Sequence, residues 1–171
     1  MQKLKDARIA RDLDTPVDLP NDATRAVSAV LNRLVADSLV LYIKTKNFHW
    51  HVSGRHFRDY HLMFDEQAEQ IFATIDDLAE RVRKIGGTTI RSLGQVTKLA
   101  TIAENDDAFV EPHAMMAELI RDHRAFVTSL RGAHKIAEDN DDVATTSLLE
   151  NIIDGAERRL WFLFETSRRP D

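Results

Sequence analysis

Residues 58–85 read RDYHLMFDEQAEQIFATIDDLAERVRKI, and within them Phe64, Ala68, Ile71, Ile75, Leu78 and Val82 recur at three-to-four spacing. That period is the signature of a helix with one apolar stripe, and Gly86-Gly87 directly after it supplies the stop. The segment therefore predicts a long amphipathic helix from about Arg58 to Ile85. Toward the N-terminus, Val27, Val30, Leu31, Leu34, Val35, Leu41, Tyr42 and Phe48 form a second stripe. It predicts a helix over roughly 22–51, capped by Asn21 or Asp22 and released at Gly54. Residues 1–20 carry charges, Pro16 and Pro20 without a sustained apolar period, so they are expected to form a mobile tail ahead of a domain spanning 21–171.

Toward the C-terminus, Gly87 and Pro112 bound a long connection in which Val96, Leu99 and Ile102 suggest a short helix. Such a length suits a crossover between parallel helices. Pro112 is well placed to start the next helix, along which Met116, Leu119, Ile120, His123, Phe126, Val127 and Leu130 form a stripe ending near Glu138. The acidic break Glu138, Asp139, Asn140, Asp141, Asp142 precedes a fourth stripe with Leu148, Leu149, Ile152, Ile153, Ala156, Leu160, Trp161, Leu163 and Phe164. Two helical hairpins joined by a crossover define an all-α fold with the layout of a ferritin-like four-helix bundle, with a short helix in the crossover. The helix count by itself fits a cytokine-like bundle equally well.

Composition narrows the chemistry. The 171 residues carry a formal net charge of −5, which argues against a basic nucleic-acid binder. There is no cysteine, so any metal must be held by histidine, carboxylate or water. The charged first thirty residues do not read as a signal peptide and no later stretch reads as a membrane span, so a cytoplasmic protein is expected.

Four of the seven histidines, His49, His51, His56 and His61, crowd the corner between the first two helices. On the second helix His61 and Asp65 are four apart, as are Asp76 and Glu80, a spacing that places each pair on one face. Taking His61 as zero at about 100° per residue, Asp65, Asp76 and Glu80 fall near 40°, 60° and 100°, beside the apolar stripe. Along the axis, however, Asp65 and Asp76 are about 16 Å apart. One chain cannot close both pairs around one ion. Both pairs share a midpoint between Gln70 and Ile71, so two copies crossing there antiparallel would set His61 opposite Glu80 and Asp65 opposite Asp76 of the other copy. His49, on the inward face of the first helix, would add a nitrogen. Two imidazoles with several carboxylates suit Fe(II), and zinc or manganese fits the same donors.

The run Lys46-Asn47-Phe48-His49-Trp50-His51, with Gly54, His61-x-x-x-Asp65, Asp76-Asp77-Leu78-Ala79-Glu80-Arg81 and Leu160-Trp161-Phe162, resembles the Dps family of mini-ferritins from about residue 22 to 167. The resemblance implies two-fold dimers assembled into a hollow dodecamer. It also implies intersubunit ferroxidase sites made by His49, His61, Asp65, Asp76 and Glu80, which oxidise Fe(II), preferably with hydrogen peroxide, and store the ferric product. No glutamate is followed three residues later by histidine, so the intrasubunit ferritin di-iron motif is absent. In such a protein Trp50 could donate an electron to a stray oxidant or serve as a packed interface aromatic. Glu138, Asp139, Asp141 and Asp142 sit where the family often builds an iron-entry pore, with a solvated turn as the alternative. Trp161 and Phe162 are expected to pack, His51, His56 and His113 to lie at the surface, and His123 to be a hydrogen-bonded core residue.

Many relatives bind DNA through basic tails. Here Lys3, Lys5, Arg8 and Arg11 face Asp6, Asp12 and Asp14, so any DNA contact, including a nucleoid-associated role, is expected to be weak and salt-dependent. Two other functions stand beside iron oxidation: a DNA-compacting protein and a metal-binding shell without enzymatic activity.

Overall fold

The computed structural model describes residues 13–168. Among the described residues the chain forms five helices: α1 (Asn21–His51), α2 (Phe57–Lys84), α3 (Leu93–Leu99), α4 (Pro112–Glu138) and α5 (Val143–Thr166). Most helical stability in a folded protein comes from packing of the apolar faces, and here the stripes meet in the core. Phe48, Phe64 and Phe126, from three different helices, are fully buried there with Leu31, Leu41, Ile71 and Leu119.

Helix α1 packs chiefly on α2 and α4 on α5, and the two hairpins meet through α1–α4 and α2–α5. Near the C-terminal end of α2, Arg81 donates to Thr145 Oγ1 (2.8 Å) and pairs with Asp142 at the start of α5, whereas Gln67 Nε2 donates to Arg159 O (3.2 Å) far along it. Helices α2 and α5 therefore run antiparallel, α2 and α4 run parallel, and the crossover spans the bundle as its length required. Helix α3 lies in this crossover against α1. Its Ser92 cap accepts from Gln95 N at 3.3 Å.

Buried Asp37 on α1 pins the far end of the crossover. Its carboxylate accepts from Thr101 N (2.5 Å), Thr101 Oγ1 (2.9 Å) and Ile102 N (3.1 Å). A second buried polar link, Lys44 Nζ to Asp122 Oδ2 at 2.6 Å, ties α1 to α4. At the end of α2 the backbone needs glycine. Gly86 has φ +84°, and a Cβ on Gly87 would lie 2.1 Å from Ser28 Oγ.

Three expectations are corrected. Asn21 and Asp22 do not cap α1. Pro20 occupies the cap position, Thr24 N donates to its carbonyl at 2.9 Å, and both polar residues fall inside the first turn. The tail expected over 1–20 does not extend to residue 20. Thr15 Oγ1 donates to Arg83 O (3.2 Å), Arg83 Nη2 donates to Leu13 O (2.8 Å), and Leu19 packs against the core, while residues 1–12 lie outside the described residues. Third, α1 is long and apolar enough to cross a membrane by length and composition. Its apolar residues Val27, Leu31, Leu34, Val35 and Leu41 are instead the bundle core, and it also buries Asp37 and Lys44.

Candidate metal centre

Chain geometry brings the end of α1 against the start of α2. His49, 8% exposed, stacks on His61 with ring centroids 3.8 Å apart. Each imidazole is tied to the other's backbone: His49 Nδ1 lies 2.8 Å from His61 O, and His61 Nδ1 lies 2.9 Å from His49 O. A carbonyl can only accept, so both Nδ1 atoms carry hydrogen and the Nε2 of each ring is left out of these contacts. This is how a metal-binding histidine is oriented before its ion arrives. His49 Nε2 is 3.7 Å from Asp65 Oδ1, which brings one carboxylate toward the imidazole pair.

Lys46, one turn before His49, donates from Nζ to Asp65 Oδ1 at 2.5 Å. That hydrogen bond holds the Asp65 carboxyl below the usual carboxylate range of 3.8, with the nearby histidines acting in the same direction. The sign follows: the lowered pKa contributes to stability above pH 3.8, and the contribution is lost as pH falls through the folded value. Lys46→Met is expected to bring the Asp65 pKa up toward 3.8 in a carboxyl NMR titration; an unchanged value would show that Lys46 does not hold the carboxylate.

Asp76 and Glu80 do not join this cluster. Both are exposed further along α2, and Glu80 pairs with Lys84 at 3.0 Å. Among the described residues no three His, Asp or Glu side chains are gathered closely enough in one chain to hold a metal. In the single chain the pair His61 and Asp65 and the pair Asp76 and Glu80 thus stay apart along α2. The same face carries exposed Phe72 and Leu62, and Phe72 lies beside the shared midpoint of the two pairs. Trp50 is 60% exposed, with Lys46 Nζ 5.9 Å from its ring centre.

Of the four acids named as pore candidates, Asp142 is the one engaged within the bundle. It is buried, caps α5 by accepting from Thr145 N at 3.0 Å, and binds Arg81. Asp139 is exposed and paired with Lys135. Glu138, Asp141 and Asp142 line a cleft of about 210 Å³ together with His134 and Glu150. The surface positions of His51, His56 and His113 are as expected. Trp161 and Phe162, expected to pack, contact each other edge to face and are 60% and 44% exposed in the single chain. His123 is buried as expected, but neither ring nitrogen has a partner, so it is not the hydrogen-bonded residue the stripe suggested.

The bundle topology is that of the ferritin-like class, and the profile of the ferritin-like domain family matches residues 28–169. A DNA protection during starvation protein of Brevibacillus brevis is 37% identical over 139 residues, covering 80% of this chain and 91% of the relative. A second such protein, from Bacillus anthracis, is 34% identical over 140 residues, covering 81% and 94%. The crystal structure of Dps from Thermosynechococcus elongatus superposes with a TM-score of 0.84 at 30% identity, covering 88% of this chain and 95% of that one. The chain belongs to the Dps family of ferritin-like proteins.

Proposed function

We propose that this protein is a cytoplasmic mini-ferritin that binds Fe(II) as its substrate, oxidises it with hydrogen peroxide at sites shared by two subunits, and stores the ferric product in a dodecameric shell. The observation that carries this reading is the pair His49 and His61, each tied by its Nδ1 to the other's backbone, with His49 Nε2 beside Asp65. Three donors leave an iron under-coordinated, and Asp76 and Glu80 on the same helix face supply what is missing when a second α2 crosses antiparallel. Exposed Phe72 and Leu62 on that face give the second copy an apolar surface to cover.

The residues would act in distinct ways. His49 and His61 give neutral nitrogen donors that add no charge, while Asp65 and the other subunit's Asp76 and Glu80 give the negative charge that favours Fe(III) over Fe(II). Lys46 occupies Asp65 Oδ1, and a metal that bound that oxygen would exchange one cation for another there. In the reaction two Fe(II) each lose one electron to one peroxide. The O–O bond breaks, two protons are taken up, and two waters and two Fe(III) result. Taking both electrons in one event avoids release of hydroxyl radical.

The test is anaerobic loading with Fe(II) followed by peroxide, with ferric absorbance and peroxide consumption recorded together. Rapid oxidation is expected at about two irons per peroxide, slowed by about 100-fold in a variant carrying Asp76→Ala and Glu80→Ala. Equal, slow rates in both proteins would mean a shell without the chemistry. Zinc and manganese enter as competitors for the same donors. The basic residues Lys3, Lys5, Arg8 and Arg11, on which DNA contact would depend, lie outside the described residues.

A further inference from the structure

The two imidazoles of the metal centre are not held alike. Each has its Nδ1 on the other's backbone carbonyl, but His49 is buried while His61, near the start of α2, is only half-buried. A contact through one atom anchors a ring without setting its plane, because χ2 of histidine is a broad, soft torsion. Burial supplies the plane for His49. His61 needs a neighbour to supply it.

Phe57 is placed to do so. It is the first residue of α2, one turn before His61, and the interval of four brings the two side chains onto one face. Their ring centroids are 5.0 Å apart, with the planes 32° from parallel. His49 stacks on the same imidazole at 3.8 Å and 25°, so His61 is in contact with two rings. Phe57 is set in turn by the corner between the helices, where its N–H donates to Gly54 O at 3.1 Å. At 45% exposure it adds little to the core, whose aromatic volume comes from Phe48, Phe64 and Phe126. Among the described residues its aromatic contact is with His61.

We propose that Phe57 is a positioning residue for the metal centre, its ring holding the plane of the His61 imidazole so that the ligand meets its ion already oriented. The proposal rests on the reading of His61 as a metal ligand. A side chain ordered in advance does not charge its lost rotamer freedom to the binding step. Neighbours that orient a ligand typically contribute about 10–100-fold to metal affinity.

Zinc(II) serves as the probe, since it suits the same donors and undergoes no oxidation. In the assembled full-length protein, Phe57→Leu keeps an apolar side chain and removes the ring. It is expected to bind zinc about tenfold more weakly by calorimetry, whereas Phe57→Tyr is expected to bind it as the wild type does. Crystals of metal-free Phe57→Leu should show the His61 ring turned about χ2 or split between orientations, with His49 unmoved. Iron oxidation should divide in the same way in Phe57→Leu: the Fe(II) concentration for half-maximal rate rises about tenfold, and the saturated rate is kept. The proposal is overturned if His61 keeps its plane in Phe57→Leu, if zinc affinity is unchanged there, or if Phe57→Tyr binds zinc as weakly as Phe57→Leu. Zinc binding and ring orientation decide the matter even where the wild-type protein oxidises no iron, so failure of the ferroxidase reading is told apart from failure of this one. Should Phe57→Leu not assemble, Phe57→Met is read by the same measurements.

Discussion

Two subunit types, each inactive by itself, are expected to recover about a quarter of the wild-type iron oxidation rate when refolded together in equal amounts. One type carries His61→Ala and Asp65→Ala, the other Asp76→Ala and Glu80→Ala. In the proposed dimer each site takes His61 and Asp65 from one subunit and Asp76 and Glu80 from the other. A mixed dimer therefore contains one intact site and one site stripped of all four residues. Random pairing makes about half of the dimers mixed, and half of the sites in those are whole. If all five ligands of a site came from a single chain, mixing would restore nothing. Stopped-flow ferric absorbance on the co-refolded protein, with the two homogeneous variants as controls, reads the difference directly.

Asp37→Ala is expected to destabilise the subunit by about 3 kcal/mol and to loosen the crossover before the rest of the bundle. The carboxylate is fully buried and receives two backbone N–H groups and one hydroxyl, and truncation leaves the amides of Thr101 and Ile102 without an acceptor. Hydrogen bonds to a charged group contribute about 1.5–3 kcal/mol each, and water entering the gap returns part of the loss. Denaturant melts measure the total, and hydrogen exchange at Thr101 and Ile102 locates it. Exchange that rises equally throughout the bundle would show that Asp37 supports the fold generally rather than this crossover.

The stripe of α2 was readable because Phe64, Ala68, Ile71, Leu78 and Val82 all meet the core at helical spacing. Pro112 and the Gly86-Gly87 pair also announced the ends they make. The start of α1 was misread because Pro20 caps through its carbonyl, a group that every residue possesses. The anchoring of residues 13–20 escaped for the same reason, since the carbonyls of Leu13 and Arg83 take part and leave no mark in the pattern. His61 with Asp65 and Asp76 with Glu80 were visible as spacings, and the structure brings His49, His61 and Asp65 together as that reading anticipated. Lys46 stands three residues before His49 and was placed on the right face by that interval, but a lysine beside ligands reads as solvated until its ion pair is seen. The burial of Arg159 gave less warning still, because an arginine next to Arg158 in an amphipathic helix looks like surface.

The resting charges around the metal centre bear on the order in which the assembly is built. Lys46 neutralises Asp65 and Lys84 neutralises Glu80, while Asp76 has no ion-pair partner among the described residues. A proposed dimer that closes empty would then confront one uncompensated carboxylate per site instead of three. In the proposed assembly construction would then precede cargo: subunits would need no iron as mortar, and the empty particle would stand ready before the metal is released.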